Sequence, residues 1–438
     1  MDEFVSAVNR NTWFNNKITN AVSVVIPVFN NWDLTRQCLS SLAENSPADL
    51  EVIVVDNGST DETATGLEPF GQTLFAKRFR RVRFEENRNF APACNAGAQT
   101  AHSEFLFFLN NDTIIQPGWL PPLLAEFSSS SSTLGAVGPL LTYQDDTVQH
   151  LGVAIWPGGT VGHLYQNLPA SHSLATRKRF FKVLTGAALL MPRALFLREG
   201  GFDEGYVNGF EDVDLGLRLT RNGYKQCCIP GSQIIHLESK TPHRHDHYPA
   251  NSRRLLEKWN MSAYADLPDL VADDGYVLHV MPELELKIAL SSERSAAYIH
   301  RLRPFNAVDC FSFLKEEPLW VEGYTLLGKY CERAGEWETA LQLYYDAAKY
   351  SLCCSFEDYK RLIRVMKVLK WDTSSLEEGI ELLYCRIDNR DNYESTLQSI
   401  MRQMAEGSPA QRALVPLYEQ AGEQARLLRR RNDRVTGM

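Results

Sequence analysis

Three acidic sites and one histidine carry the chemistry visible in this 438-residue sequence, each with a plainer reading beside it. Asn110-Asn111-Asp112 follows the apolar run Phe105–Leu109. A carboxylate at the end of a parallel strand is placed to hold a hard cation through oxygen, beside phosphates; an Asx turn closing a strand explains the same residues. Asp56 ends the run Val52–Val55 and could accept hydrogen bonds from a base or ribose, or simply open a turn. Glu211-Asp212 opens a helix together with Asp214. Acidic residues suit a helix N-terminus, and one of them facing a crevice would serve as a general base. Arg218 lies four residues beyond Asp214, the spacing of an ion pair on one helix face. His236 follows Ile234-Ile235 as either a core histidine or a ligand. His243, His245 and His247 have no matching Cys/His pair elsewhere and read as a polar loop. Arg177-Lys178-Arg179 is a solvated surface or a contact for an anionic partner. No Walker loop, GxGxxG, GxSxG or HExxH occurs.

Such residues need a scaffold that gathers strand ends. Ala21–Val28 is a continuous apolar, β-branched run, as expected of a strand covered on both faces. Asp33 can cap a helix whose apolar positions are Leu34, Cys38, Leu39 and Leu42. Val52–Val55 predicts a second strand, and Asn57–Asp61 (NGSTD) a turn leading into another helix. Val82–Phe84 reads as a third strand, Ala91–Ala101 as a helix and Phe105–Leu109 as a fourth strand. Pro117 fits the first turn of the next helix, and Gly135–Leu141 reads as a fifth strand. The alternation predicts an α/β fold with a doubly wound, mostly parallel sheet. Ligands of such sheets bind beyond the carboxyl ends of the strands, which singles out Pro27–Asn30, Asp56 and Asn110–Asp112. Further on come a Gly-rich stretch at 156–162, an apolar run Ala187–Met191 and a helix Val213–Arg221 closed by Gly223.

Residues 261–318 have weak periodicity and read as a linker with some helix. From Leu319 the chain is helical. Tyr324, Leu327, Gly328, Cys331, Gly335, Ala340, Tyr344 and Ala347 follow the spacing of a tetratricopeptide-type hairpin, with the small residues where its helices touch. A true repeat array and a helical bundle holding one such hairpin fit equally well.

Composition narrows the class. Lys plus Arg is 45 and Asp plus Glu 54, a net charge of −9 that argues against a general nucleic-acid binder. The 11% aromatic content supports a packed core rather than disorder. No apolar run reaches the ~18 residues of a membrane span, and the acidic, polar start MDEFVSAVNRNTWFNNK is unlike a secretory signal. The nine cysteines have no CxxC spacing and read as buried free thiols of a reducing compartment.

Five segments then occur in a recognisable order: SVVIPVFNN (23–31), VIVVDNGSTD (52–61), ENRNFAPACNAG (86–97), FLFFLNNDTIIQPGW (105–119) and GFDEGYVNGFEDVDLGLRLTRNGY (201–224). TGAALLMPR (185–193) and IIHLES (234–239) accompany them. Over residues 21–260 the sequence resembles the family 2 glycosyltransferases of A-type fold, and within them the bacterial branch of rhamnosyltransferases and related cell-surface polysaccharide enzymes. The resemblance implies a nucleotide-diphosphate-sugar donor, Mg²⁺ or Mn²⁺, and inversion at the anomeric carbon. By motif position it places Pro27, Phe29 and Asp56 around the nucleobase and ribose, with Arg88, Asn95 and Asn111 also on the nucleotide side. Asp112 matches the metal-binding acid of the family's DxD motif, with Asn110 at the first acidic position. Asp212 matches the catalytic base, beside Glu211, and His236 a late position that reaches the metal in several relatives. Asn89 stands where relatives often have glycine.

The expectation is therefore an inverting, metal-dependent hexosyl- or deoxyhexosyltransferase acting on an acceptor hydroxyl in bacterial surface glycan or glycoprotein synthesis. Its acceptor is a glycan, a lipid-linked glycan or a protein. The expected organisation is an N-terminal extension (1–20), a catalytic domain (21–260), the linker (261–318) and a tetratricopeptide-like helical domain (319–438) that contacts a protein partner or a second copy. The expected location is the cytoplasm, including the inner face of the membrane, without a transmembrane segment. Two rivals are a sugar nucleotidyltransferase, which would ordinarily carry a Gly-rich basic phosphate loop near the first strand, and a non-catalytic scaffold of the same fold recruiting partners through its helices.

Overall fold

The computed structural model describes residues 21–129, 133–237 and 246–436. The expected N-terminal extension, three serines at 130–132, His243 and His245 lie outside the described residues. The chain divides into two compact units, one holding residues up to Ala154 together with Val161–Asn260, the other Ile155–Thr160 together with the residues from Met261 onward.

The first unit runs β1 (Val22–Val28), α1 (Trp32–Asn45), β2 (Glu51–Asp56), α2 (Thr63–Phe75), β3 (Phe79–Arg83), α3 (Phe90–Thr100), β4 (Phe105–Leu109), β5 (Thr113–Ile115), α4 (Leu120–Ser129), β6 (Leu134–Thr142) and β7 (Val148–His150). It continues through β8 (Val153–Ile155), β9 (Val161–His163), β10 (Arg179–Phe181), β11 (Ala188–Pro192), α5 (Arg193–Arg198), α6 (Glu211–Arg221), β12 (Lys225–His236) and α7 (Tyr248–Lys258). The main sheet has the order β10-β12-β6-β11-β4-β1-β2-β3, with β5 paired to β12 and β7 to β6. Strands β1, β2, β3, β4, β6 and β12 run one way and β5, β7, β10 and β11 the other, so the sheet is mixed and mostly parallel, as expected.

Both faces of the sheet are covered. Val22, Val24, Ile26 and Val28 of β1 pack with Cys38, Leu39 and Leu42 of α1, the apolar stripe read from the sequence. The alternate face meets α3 so closely that a Cβ at Gly97 would lie 2.3 Å from Val25. Glycine at 97 is what lets this helix seat on the strands. In β4, Phe105, Phe107 and Leu109 join the α1-side core, whereas Phe108 packs at an angle against the rings of Phe196 and Phe202 on the other face. This two-sided burial explains why β1 and β4 are continuous apolar runs.

Three local expectations shift. The third strand begins at Phe79, short β5 intervenes before β6, and Pro117 sits in the turn ahead of α4, next to Gly118 at φ +75°.

In the second unit, residues 261–318 hold α8 (Leu267–Asp273), an antiparallel hairpin of β13 (Val277–Val280) and β14 (Leu286–Ala289), α9 (Ser292–Arg301) and α10 (Ala307–Glu316). The hairpin strands have four residues each, too few for alternation to register in a window as long as periodicity needs. The helices that follow are α11 (Val321–Ala334), α12 (Trp337–Tyr350), α13 (Phe356–Leu369), α14 (Ser374–Asp388), α15 (Arg390–Glu406), α16 (Pro409–Arg412) and α17 (Val415–Thr436). α11 turns into α12 at Gly335 (φ +82°), and Gly328 faces the Tyr344 ring, where a Cβ would lie 2.4 Å away. Small residues thus stand where these two helices touch.

All nine cysteines are free thiols, six of them buried. Among the described residues, no helix is long and apolar enough to cross a membrane.

Candidate active site

The first cluster forms where β1 and β2 end. Asn30 and Asn31 both adopt left-handed backbone (φ 55° and 59°), the tight exit from β1 that asparagine tolerates. The Asn30 side chain accepts from the Thr60 amide (2.8 Å), while its own amide donates to Ser59 Oγ (2.8 Å). The NGSTD turn is thereby tied to the end of β1, beside an open pocket of about 450 Å³ lined by Asn30, Trp32, Asp33, Asp61 and Glu62 among others. Pro27 is half-buried, and Phe29 is exposed.

Asp56 is wholly buried in this turn. It accepts from the Ser59 amide (2.8 Å) and from the guanidinium groups of Arg81 and Arg83. Burial alone would raise its pKa, but the Arg81 guanidinium and Ser59 outweigh it and hold the carboxyl below the usual range. Arg81 and Arg83 were not singled out from sequence. Their signal is the i, i+2 spacing on β3, which puts both on one face of the strand.

Asn57 organises the next loop. Its amide donates to Asn87 Oδ1 and to the Asn89 carbonyl (both 2.9 Å) and accepts from the Arg88 main chain (2.8 Å). The Arg88 guanidinium lies 4.9 Å from the Phe84 ring centre. Asn89 has φ +71°, a conformation that glycine adopts more readily than other residues. Asn208 then joins this loop to the start of α6, accepting from the Phe90 amide (2.9 Å). Asn95 donates to the Phe202 carbonyl (2.9 Å) and accepts from the Phe202 amide (2.9 Å). Those bonds fasten α3 to the turn at 202–204. Asn111 is directed at α1, donating to Thr35 Oγ1 (2.9 Å).

The second cluster forms beyond β4. Because β5 pairs antiparallel with the end of β12, His236 lies opposite Thr113, and the Leu237 amide donates to the Asp112 carbonyl (2.8 Å). His236 Nε2 is 3.1 Å from Asp112 Oδ1 and 3.3 Å from Asn110 Nδ2. A 124-residue separation in sequence collapses to one contact. No group of three or more His, Cys, Asp or Glu gathers among the described residues. One carboxylate and one imidazole nitrogen suit a divalent cation that takes its remaining ligands from phosphate oxygens and water.

The third element is the start of α6. Phe210, just ahead of it, is held at φ +72°, an unusual conformation for an aromatic residue. Glu211 is buried and accepts from the Gly209 amide (2.7 Å). Asp212 is half-buried and accepts from the Gly186 amide through Oδ2 (2.9 Å). The adjoining Ala187 carbonyl accepts from the Asn110 amide (2.9 Å), so the 185–187 loop touches both Asp212 and the end of β4. Behind them, Asp214 forms the expected pair with Arg218 (2.8 Å) and is also bonded by Lys258 Nζ (2.7 Å) and Trp259 Nε1 (2.8 Å).

Two other sequence candidates stand apart from this ensemble. Lys178 of the basic cluster pairs with Glu126 (2.8 Å), and Arg179 donates to the Leu174 carbonyl (3.1 Å). His247 precedes α7 at its N-cap.

Comparison with known proteins agrees with the motif order. The family model described as "Glycosyl transferase family 2" matches residues 23–171. An O-antigen biosynthesis protein, RfbC, of Myxococcus xanthus is 33% identical over 231 residues, covering 50% of this chain and 18% of that protein. The uncharacterized protein y4gI of Sinorhizobium fredii is 30% identical over 263 residues, 57% of this chain and 28% of its own. The chain spans less than a third of the length of either relative. Among solved structures, the mannosyltransferase PcManGT of Pyrobaculum calidifontis, in complex with GDP-Man and Mn²⁺, aligns over 89% of this chain and 94% of its own, at 16% identity and a TM-score of 0.41. Residues 23–171 thus form a segment that matches the glycosyl transferase family 2 model.

Proposed function

We propose that this chain is an inverting glycosyltransferase that moves a sugar from a nucleotide diphosphate to an acceptor hydroxyl. The observation that carries the reading is the 185–187 loop, whose Gly186 amide holds Asp212 while Ala187 binds Asn110 at the end of β4. A candidate base and the candidate donor side are thereby joined through one short segment.

An acceptor hydroxyl is a poor nucleophile until its proton is withdrawn, and a carboxylate that accepts the proton during attack lowers that barrier. Asp212 takes this role. Glu211 does not, since it is buried and bonded to Gly209. Pro27 and Phe29 at the β1 exit would receive the nucleobase and ribose, with Arg88 on the same side, while Asp56, buried and bonded to Ser59, Arg81 and Arg83, would act by holding the turn beneath them. Asn95 and Asn111 act by bracing α3 and the β4 exit. Asp112 and His236 are the residues that would hold Mg²⁺ or Mn²⁺, which when bound neutralises charge developing on the nucleoside-diphosphate leaving group.

The product is assigned to glycan or glycoprotein synthesis, consistent with the relative named for O-antigen biosynthesis. The reaction is placed in the cytoplasm or at the inner membrane face. The catalytic domain is assigned to residues 21–260, and the helices from 319 onward to contact with a protein partner or a second copy.

The test is a panel of nucleotide sugars incubated with the full chain and Mn²⁺ or Mg²⁺, following nucleoside-diphosphate release with and without acceptor glycans. Release from at least one donor, with inverted configuration at the transferred sugar, is expected. Formation of nucleoside triphosphate and sugar 1-phosphate when pyrophosphate is added would indicate a nucleotidyltransferase, and binding without turnover a scaffold.

A further inference from the structure

Gln149 has no part in the mechanism above, yet it grips His236 at two points. Its Oε1 is 2.7 Å from the ring Nδ1, and its Nε2 donates to the His236 main-chain carbonyl at 3.3 Å. The second bond orients the amide, because only the NH₂ end can serve a carbonyl acceptor. The end facing the ring is therefore the oxygen, which cannot donate, so Nδ1 carries the proton. With the proton on Nδ1, Nε2 is the nitrogen left to ligate, and it faces Asp112 Oδ1 at 3.1 Å. Two acceptors turned toward each other at that separation form half of a cation site. Asn110 Nδ2, 3.3 Å from the same nitrogen, is a donor that can share the lone pair.

The backbone supplies an independent observation. In the β6–β7 ladder, Leu141 faces His150 but Thr142 faces Val148, so β7 carries one extra residue at Gln149. That is a β-bulge, the device that re-aims a side chain out of the regular alternation. Gln149 is also only 3% exposed, so its amide is directed into the protein at a neutral residue's low desolvation cost.

We propose that Gln149 is a positioning residue that fixes the tautomer and ring plane of His236 so that Nε2, with Asp112, can ligate a divalent cation. The inference rests on the metal role proposed above for His236.

Two measurements test it on the full chain. In the metal-free protein, ¹⁵N spectra of labelled histidine, with His236→Gln to assign the signals, are expected to show His236 as the Nδ1–H tautomer; an Nε2–H tautomer overturns the proposal without recourse to any Gln149 variant. Mn²⁺ binding without nucleotide, read from the electron paramagnetic resonance of the free ion, gives the second readout. Gln149→Leu is expected to weaken binding by about 10–100-fold, in the range of outer-shell partners. Gln149→Glu, which still offers an oxygen to Nδ1–H, is expected to restore most of it. Unchanged affinity in Gln149→Leu, with His236→Ala weakened, overturns the inference while sparing the metal site. Equal binding by wild type and His236→Ala, or no binding by wild type, overturns the metal role and this inference with it.

Discussion

The main-chain N–H of Gly186 donates to Asp212 Oδ2 at 2.9 Å, although the two residues belong to separate elements 26 positions apart. The bond sets one carboxylate oxygen at the start of α6. Oδ1, the other oxygen, accepts from the Val213 amide (2.8 Å), so the group is clamped rather than free to rotate.

That clamp makes Asp212→Asn an informative variant, since the amide keeps an oxygen for Gly186 but cannot take a proton. Donor affinity is expected to stay within about 2-fold while turnover falls by about 10²–10⁴-fold, the usual range for losing a general base. Calorimetric donor titration alongside a transfer assay checks both; near-normal turnover would remove Asp212 from the role.

Asp112→Ala and His236→Ala are expected to reduce nucleotide-sugar affinity measured in Mn²⁺, while leaving affinity measured with EDTA unchanged. A cation bridging protein and diphosphate contributes only when it is present. Equal losses with and without the ion would instead indicate direct contact with the nucleotide or damage to the β5–β12 pairing.

What was legible in the sequence follows from range. β1 and β4 could be read because burial on both faces leaves nearly unbroken apolar runs, and α1 because its stripe faces that same core. The Asp214–Arg218 pair was legible from helix spacing alone. The Asp112–His236 contact was expected only through the resemblance, which sends both residues to the metal; it depends on β5 pairing with the far end of β12, and strand pairing between remote segments leaves no local pattern. The same holds for Asn95 and Asn111, which the resemblance set beside the nucleotide and whose side chains bond to the 202–204 turn and to Thr35. Motif position locates a residue, but the direction of its side chain is decided by partners elsewhere in the chain.

Asp214 is fully buried among Arg218, Lys258 and Trp259, so its partners matter for stability. Arg218→Met removes the closest guanidinium and leaves the carboxylate partly uncompensated in the interior. Breaking a buried pair from one side typically costs about 3–5 kcal/mol. The urea midpoint of the first unfolding transition should fall accordingly. Adding Asp214→Leu to Arg218→Met should recover part of the loss, because no buried charge is then left unpaired on that helix.

Asp203 gives a pH dependence whose sign can be worked out. Burial raises its pKa, but Lys258 Nζ (2.7 Å), the Gly205 amide (2.9 Å) and Arg254 (2.9 Å) prevail and lower it from 3.8 to about 2. The unfolded chain therefore binds the proton more readily than the folded one. Stability from this group is complete above about pH 4 and is lost as the pH falls toward about 2. Asp203→Asn, which has nothing to protonate, should lose stability less steeply than the wild type across that window. Urea midpoints measured at intervals through it provide the comparison, and parallel curves for the two proteins would show that the Asp203 cluster does not contribute to acid unfolding.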